Sequence, residues 1–187
     1  MTKLPLIDSI ISDDLLALNS EDSLNIAFII SKYPGLDNIL SKIRGRIVVA
    51  GSHFKTLWKI HTSPKLKNTN VLTVETISPY YPFAPDSFDI IILTGNMPKS
   101  SDIKNESVFL KGIKTYLKKE GIIYWVSPIK QGRFSKLLSK IIRKKVLERH
   151  ELCQSAMAAG FIGVGQKLVY VKGIGSSVLT YGTAVKM

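Results

Sequence analysis

YPFAPDSFDIIILTGN, residues Tyr81 to Asn96, decides the reading of this chain. Its first half is broken by Pro82 and Pro85 and turns through Asp86, Ser87, Phe88 and Asp89. Its second half is Ile90, Ile91, Ile92 and Leu93, a short apolar run bounded by polar residues, which reads as a strand buried on both faces. Thr94, Gly95 and Asn96 follow at the carboxyl end of that strand, the position at which open α/β sheets bind ligands.

Further runs of the same kind flank it. Arg46 to Gly51 reads as the first buried strand and is followed by a helix through Phe54, Leu57, Trp58 and Ile60. Asn70 to Glu75 reads as the second strand and Phe88 to Leu93 as the third. Ile103 to Lys119 fits a helix with Val108, Leu110, Ile113 and Leu117 toward the sheet, stopped by Lys119-Glu120-Gly121 before a strand over Ile122 to Val126. Phe134, Leu137, Leu138, Ile141 and Ile142 recur at helical spacing, and another helix runs from His150 to Ala159. Two extended stretches, Gly163 to Lys172 and Ser177 to Lys186, flank Gly173-Ile174-Gly175 as a closing hairpin. Strands alternating with helices predict parallel strands joined by crossovers.

The first 43 residues have helical texture, with apolar clusters at Leu15-Leu16, Leu24, Ala27-Phe28 and Ile39-Leu40, and a break at Tyr33-Pro34-Gly35. The expected organisation is a helical N-terminal extension over residues 1–43 and an α/β domain over residues 44–187. A chain of 187 residues, 45% of them hydrophobic, can bury one substantial core.

The segment at Tyr81 to Asn96 resembles the "LPF-x-x-x-SFD-hydrophobic" phrase of class I S-adenosylmethionine-dependent methyltransferases, methyltransferase type 11-like. Two more phrases follow in the family's order. Leu117-Lys118-Lys119-Glu120-Gly121-Ile122-Ile123 resembles the family's "L-K-P-G-G-hydrophobic" turn, and Ala158-Ala159-Gly160-Phe161 its "A-G-F" approach to the sixth strand. The resemblance covers Arg44 to Met187 and implies a Rossmann-like methyltransferase sheet, mostly parallel with a C-terminal antiparallel hairpin.

It also implies S-adenosylmethionine as cofactor, with an unidentified methyl acceptor. The family's first strand ends in a glycine-rich loop, and the corresponding residues here are Ala50, Gly51 and Ser52, with Gly51 the one matching glycine. A glycine there leaves the backbone bare for a ligand. His53 is either a partner for the cofactor's carboxylate or an ordinary surface residue. Glu75 ends the next strand: if that strand is the family's second, Glu75 takes the ribose hydroxyls, and if it is the third, Glu75 lies nearer the adenine and the ribose acid is missing. Tyr80, Tyr81 and Phe83 offer aromatic faces to an adenine or anchor the core. Thr94, Gly95 and Asn96 lie beside the transferred methyl, with Asn96 placed to orient an acceptor amine or hydroxyl.

The shortened middle and degraded glycine loop support an alternative, a catalytically inactive methyltransferase-like scaffold with a basic face for an anionic partner. That face follows from charge: of the formal net +12, residues 1–100 hold 10 Lys+Arg against 9 Asp+Glu, and residues 101–187 hold 16 against 5. Arg133, Lys136, Lys140, Arg143 and Lys144 populate the polar side of one expected helix, a candidate surface for nucleic acid or another polyanion. The single cysteine, Cys153, excludes an internal disulfide and a cysteine-based zinc site, and no metal is expected. No apolar stretch approaches the roughly 18–20 residues that span a bilayer, and the N-terminus has no signal-peptide core, so the expected location is cytoplasmic.

Overall fold

The structure, a computed structural model, describes residues 24–30, 36–67, 69–76, 81–94, 103–128, 149–171 and 175–185. Seven strands form one sheet: β1 (Asn25–Ile30), β2 (Arg46–Gly51), β3 (Val71–Glu75), β4 (Phe88–Thr94), β5 (Leu117–Pro128), β6 (Phe161–Val171) and β7 (Gly175–Ala184). Among the described residues, four α-helices accompany them: α1 (Leu36–Leu40), α2 (Phe54–His61), α3 (Ile103–Tyr116) and α4 (Arg149–Ala158). The strand order is β3-β2-β1-β4-β5-β7-β6. The first five strands pair in parallel, and β7 runs antiparallel to both β5 and β6. This is the expected Rossmann-like sheet, mostly parallel with an antiparallel C-terminal hairpin, in which Lys167 faces Leu179 and Leu168 faces Val178.

Each central strand sends alternate side chains to opposite faces, and both faces are covered. Ile26, Phe28 and Ile30 of β1 join Ile47, Val49, Ile90 and Ile92 on the face packed by Leu36, Leu40, Leu57 and Ile60 of α1 and α2. Ala27, Ile29, Ala50, Ile91, Leu93 and Trp125 occupy the other face, against Leu110 and Ile113 of α3 and Leu152 and Ala156 of α4.

The helical reading of the N-terminal residues is corrected at β1. Asn25–Ile30 is a strand at the centre of the parallel sheet, paired with β2 on one side and β4 on the other. Its physical reason is burial on both faces, which removes the polar alternation that marks a half-exposed strand. Arg46–Gly51 is therefore the second strand and Val71–Glu75 the third. Two smaller corrections concern α3. The helix ends at Tyr116, and Leu117 already pairs with Phe88 in β5. Val108 is exposed, whereas Leu110, Ile113 and Leu117 are buried as expected. The expected helix containing Phe134, Leu137, Leu138, Ile141 and Ile142 lies outside the described residues.

The three phrases that carried the resemblance have structural work at the sheet's amino edge and at a helix end. Asp89, near the start of β4, accepts the backbone N–H of Asn25 at 2.8 Å and both of its oxygens accept from Lys118 Nζ at 2.8 and 2.9 Å, tying β1, β4 and β5 together. Gly160 ends α4 at φ +83, in the left-handed region that favours glycine, and its carbonyl accepts from Lys114 Nζ at 2.6 Å. Among the described residues, no helix is long and apolar enough to cross a membrane.

Candidate functional site

The order β3-β2-β1-β4-β5 reverses direction between β1 and β4: the chain first builds outward through β2 and β3, then returns to the other side of β1. Such a switch point leaves a crevice at the carboxyl edge, because the connections leaving the two strands diverge to opposite faces. Register places one residue of each strand in a line along that edge. Glu75 pairs with Gly51, Gly51 with Ile30, Ile30 with Thr94, and Thr94 with Val126.

Thr94 sits on the β4 side of the switch point. It shares its face with Ile90 and Ile92, by the two-residue period, and so faces the α1 side of the sheet. Its residue exposure is 6%, and Oγ1 is buried with no hydrogen-bond partner among the described residues. A buried hydroxyl without a partner loses roughly 1–3 kcal/mol of solvation, which nothing among the described residues returns. The cost falls at the point where the topology opens a ligand crevice.

Ala50 and Gly51 are buried at the end of β2, Ser52 is exposed just beyond, and Glu75 is exposed at the end of β3. Glu75 and Thr94 are three strand spacings apart, about 14 Å, so only an elongated ligand reaches both. Glu75 thus takes the third-strand position, and β2, the strand whose family counterpart ends in an acid, ends here in Gly51-Ser52. His53 is exposed, and its Nδ1 lies 3.4 Å from Thr56 Oγ1 at the start of α2. Gly95 and Asn96 lie outside the described residues, as do Arg133, Lys136, Lys140, Arg143 and Lys144.

Gly51 has a packing reason of its own. A Cβ built on it would lie 2.5 Å from the carbonyl oxygen of Ile30, a backbone atom that cannot swing aside. The close approach the glycine permits is thus between β1 and β2. Gly51→Ala is expected to destabilise the ligand-free protein by about 1–3 kcal/mol, read from urea unfolding. An unchanged midpoint would show that the two strand ends separate freely.

The aromatic residues move away from the crevice. Phe83 packs edge-on against Phe88 at 5.0 Å and Tyr116 at 5.6 Å, and Tyr81 stacks on Phe83 at 5.9 Å. Phe88 begins β4, so this cluster closes the amino edge, opposite Thr94, and its role is a core anchor. Tyr80 lies outside the described residues. The break expected at Tyr33-Pro34-Gly35 falls between β1 and α1, and residues 31–35 lie outside the described residues.

No protein-family model and no curated protein matches the sequence. Solved structures match the fold throughout. The CurJ carbon methyltransferase superposes with a TM-score of 0.72 at 13% identity, over 96% of this chain and 53% of that one. A chain from the complex containing the Haloferax volcanii Trm112 methyltransferase activator gives 0.71 at 14%, over 96% of this chain and 93% of that one. The trans-methyltransferase CalH, solved in complex with SAH, gives 0.71 at 12%, over 94% of this chain and 55% of that one. This chain spans about half the length of the CurJ and CalH chains and nearly all of the Haloferax-complex chain. Its fold is that of the class I S-adenosylmethionine-dependent methyltransferases.

Proposed function

We propose that the protein is an S-adenosylmethionine-dependent methyltransferase that binds its cofactor along the carboxyl edge of β1, β2, β3 and β4. The single observation that carries this reading is Thr94, whose buried Oγ1 lacks a partner among the described residues at the switch point of the sheet. The neighbouring solved structures supply the class of ligand, one of them holding SAH. The cofactor, when bound, brings a methyl group already activated on a sulfonium, so the protein's part is chiefly positioning. Thr94 would hold a polar group of the ligand near β4, and Glu75 would take the base end at β3. Ala50, Gly51 and Ser52 would form the floor between, and Gly95 and Asn96, the next residues in sequence after Thr94, are assigned to the acceptor.

Thr94→Val tests the assignment with opposite signs. Valine has the same shape without the hydroxyl, so the ligand-free protein should keep its stability or gain up to about 1–2 kcal/mol. Affinity for S-adenosylmethionine, measured by calorimetry, should fall by about tenfold. A variant that loses stability and keeps its affinity would show that Thr94 serves the fold. Silence of the wild type toward S-adenosylmethionine and SAH would leave the scaffold reading, in which the absence of an acid at the end of β2 marks a lost site.

The same proposal assigns Arg133, Lys136, Lys140, Arg143 and Lys144 to an anionic partner, nucleic acid or another polyanion, on the strength of their charge. Heparin affinity should fall steeply as salt rises, and neutralising all five should remove most of it while leaving the thermal transition in place. Equal binding by wild type and variant would place the polyanion elsewhere. A cytoplasmic location accords with the single cysteine.

A further inference from the structure

Helix α2 presents a surface that the cofactor reading does not use. Leu57 and Ile60 seat the helix on the sheet. Its outer side carries Phe54 and Trp58 at 59% and 56% exposure, followed by an exposed His61. The three rings form a continuous strip, with Phe54 and Trp58 stacked at 6.0 Å and 24°, and Trp58 and His61 at 6.1 Å and 38°. Lys55 and Lys59 are one position on from Phe54 and Trp58, a rotation of about 100° that sets a row of exposed ammonium groups beside the rings.

The strip has a direction. Helix α2 joins two parallel strands, so it descends from the carboxyl edge at Phe54 to the amino edge at His61. There the chain continues into exposed Lys65 and Lys67. Lys65 lies 3.8 Å from Asp37, and Lys55 and Lys59 on α2 and Lys67 beyond it are exposed. The field is one-signed over a long stretch: between Asp37 and Glu75 the sequence contains seven Lys and Arg and no Asp or Glu.

We propose that the exposed side of α2 binds single-stranded nucleic acid, with bases on Phe54 and Trp58 and phosphates on Lys55, Lys59 and Lys67. Large exposed apolar side chains mark an interaction surface when they lie together, and these are all flat rings. An acidic peptide would engage the lysines and leave the rings idle. A duplex hides its base faces in its own stack. A single strand offers both a regular row of phosphates and unstacked π-faces, and stacking of this kind tolerates any sequence. The surface is built from residues 54–67 and does not depend on methyl transfer.

The two tryptophans make the test specific. Trp58 is 56% exposed and Trp125 is 2% exposed, so a base stacked at α2 is read as quenching of Trp58 emission. Oligothymidylate and oligouridylate of about 12 nucleotides, a length within the usual site sizes, are titrated at low salt while emission and the polarisation of a labelled strand are followed. The expected result is quenching that saturates together with polarisation, and no quenching by heparin, which has charge without bases. The double variant Phe54→Ala with Trp58→Ala should bind the oligonucleotides about tenfold more weakly, judged by polarisation, and bind heparin within about twofold of wild type. Both side chains are exposed, so its melting temperature should stay close to wild type. Absence of oligonucleotide binding, binding without quenching, or equal affinity of wild type and double variant would each overturn the proposal. Equal losses toward oligonucleotide and heparin would also overturn it, since stacking would then contribute nothing.

Discussion

Phe28→Ala lowers the free energy of unfolding by about 3–5 kcal/mol, the usual cost of removing a buried aromatic ring. Phe28 is 1% exposed on β1, opposite Val49 of β2 and Ile92 of β4, so the cavity opens between two strands that cannot close on it. Small domains hold roughly 5–15 kcal/mol in total, and the variant should therefore unfold at a far lower urea concentration. Trp58→Ala is the internal control: at 56% exposure it should change stability by no more than about 0.5 kcal/mol. Equal small losses in the two variants would remove Asn25–Ile30 from the centre of the sheet.

Asp89→Ala costs about 2–3 kcal/mol, and most of that comes from the backbone. Lys118 is 40% exposed, so its ion pair with Asp89 is screened by water and contributes about 0–1 kcal/mol. The N–H of Asn25 is part-buried, and its bond to the carboxylate at 2.8 Å is charge-assisted, worth roughly 1.5–3 kcal/mol. Asp89→Asn, which keeps an acceptor, should lose about half as much as Asp89→Ala, and Lys118→Met less than about 1 kcal/mol. If Lys118→Met proves as damaging as Asp89→Ala, the ion pair and not the backbone bond holds the amino edge.

Strands β2 to β7 were legible because each is a short apolar or alternating run bounded by Gly, Pro or charge, as at Ile90 to Leu93 before Thr94 and Gly95. Strand β1 was not, although Asn25 to Ile30 is a run of the same kind. An unbroken apolar run has no periodicity to separate strand from buried helix, and only its shortness and Pro34-Gly35 spoke for a strand. One missed strand moved every assignment that depended on counting. Gly51 was read as the loop of a first strand, and it proved to be a close approach between β1 and β2. Of the two positions left open for Glu75, the third strand is the one the sheet provides.

The role of Asp89 was hidden for a different reason. The phrase containing it was visible, but its partners Asn25 and Lys118 are 64 and 29 residues away in the chain, and only parallel register brings them together. Thr94 was legible as a position, since strand ends in such sheets bind ligands. That its hydroxyl is buried and lacks a partner among the described residues is a fact of packing, which no local pattern records.

We place the cofactor at the carboxyl edge, at the β1–β4 switch point. A crystal structure of the protein grown with SAH tests it most directly. Density for the ligand is expected along the line of Thr94, Ile30, Gly51 and Glu75, with a polar atom of the ligand within hydrogen-bonding distance of Thr94 Oγ1. Density at another surface, or an empty edge in crystals grown at saturating SAH, would contradict it.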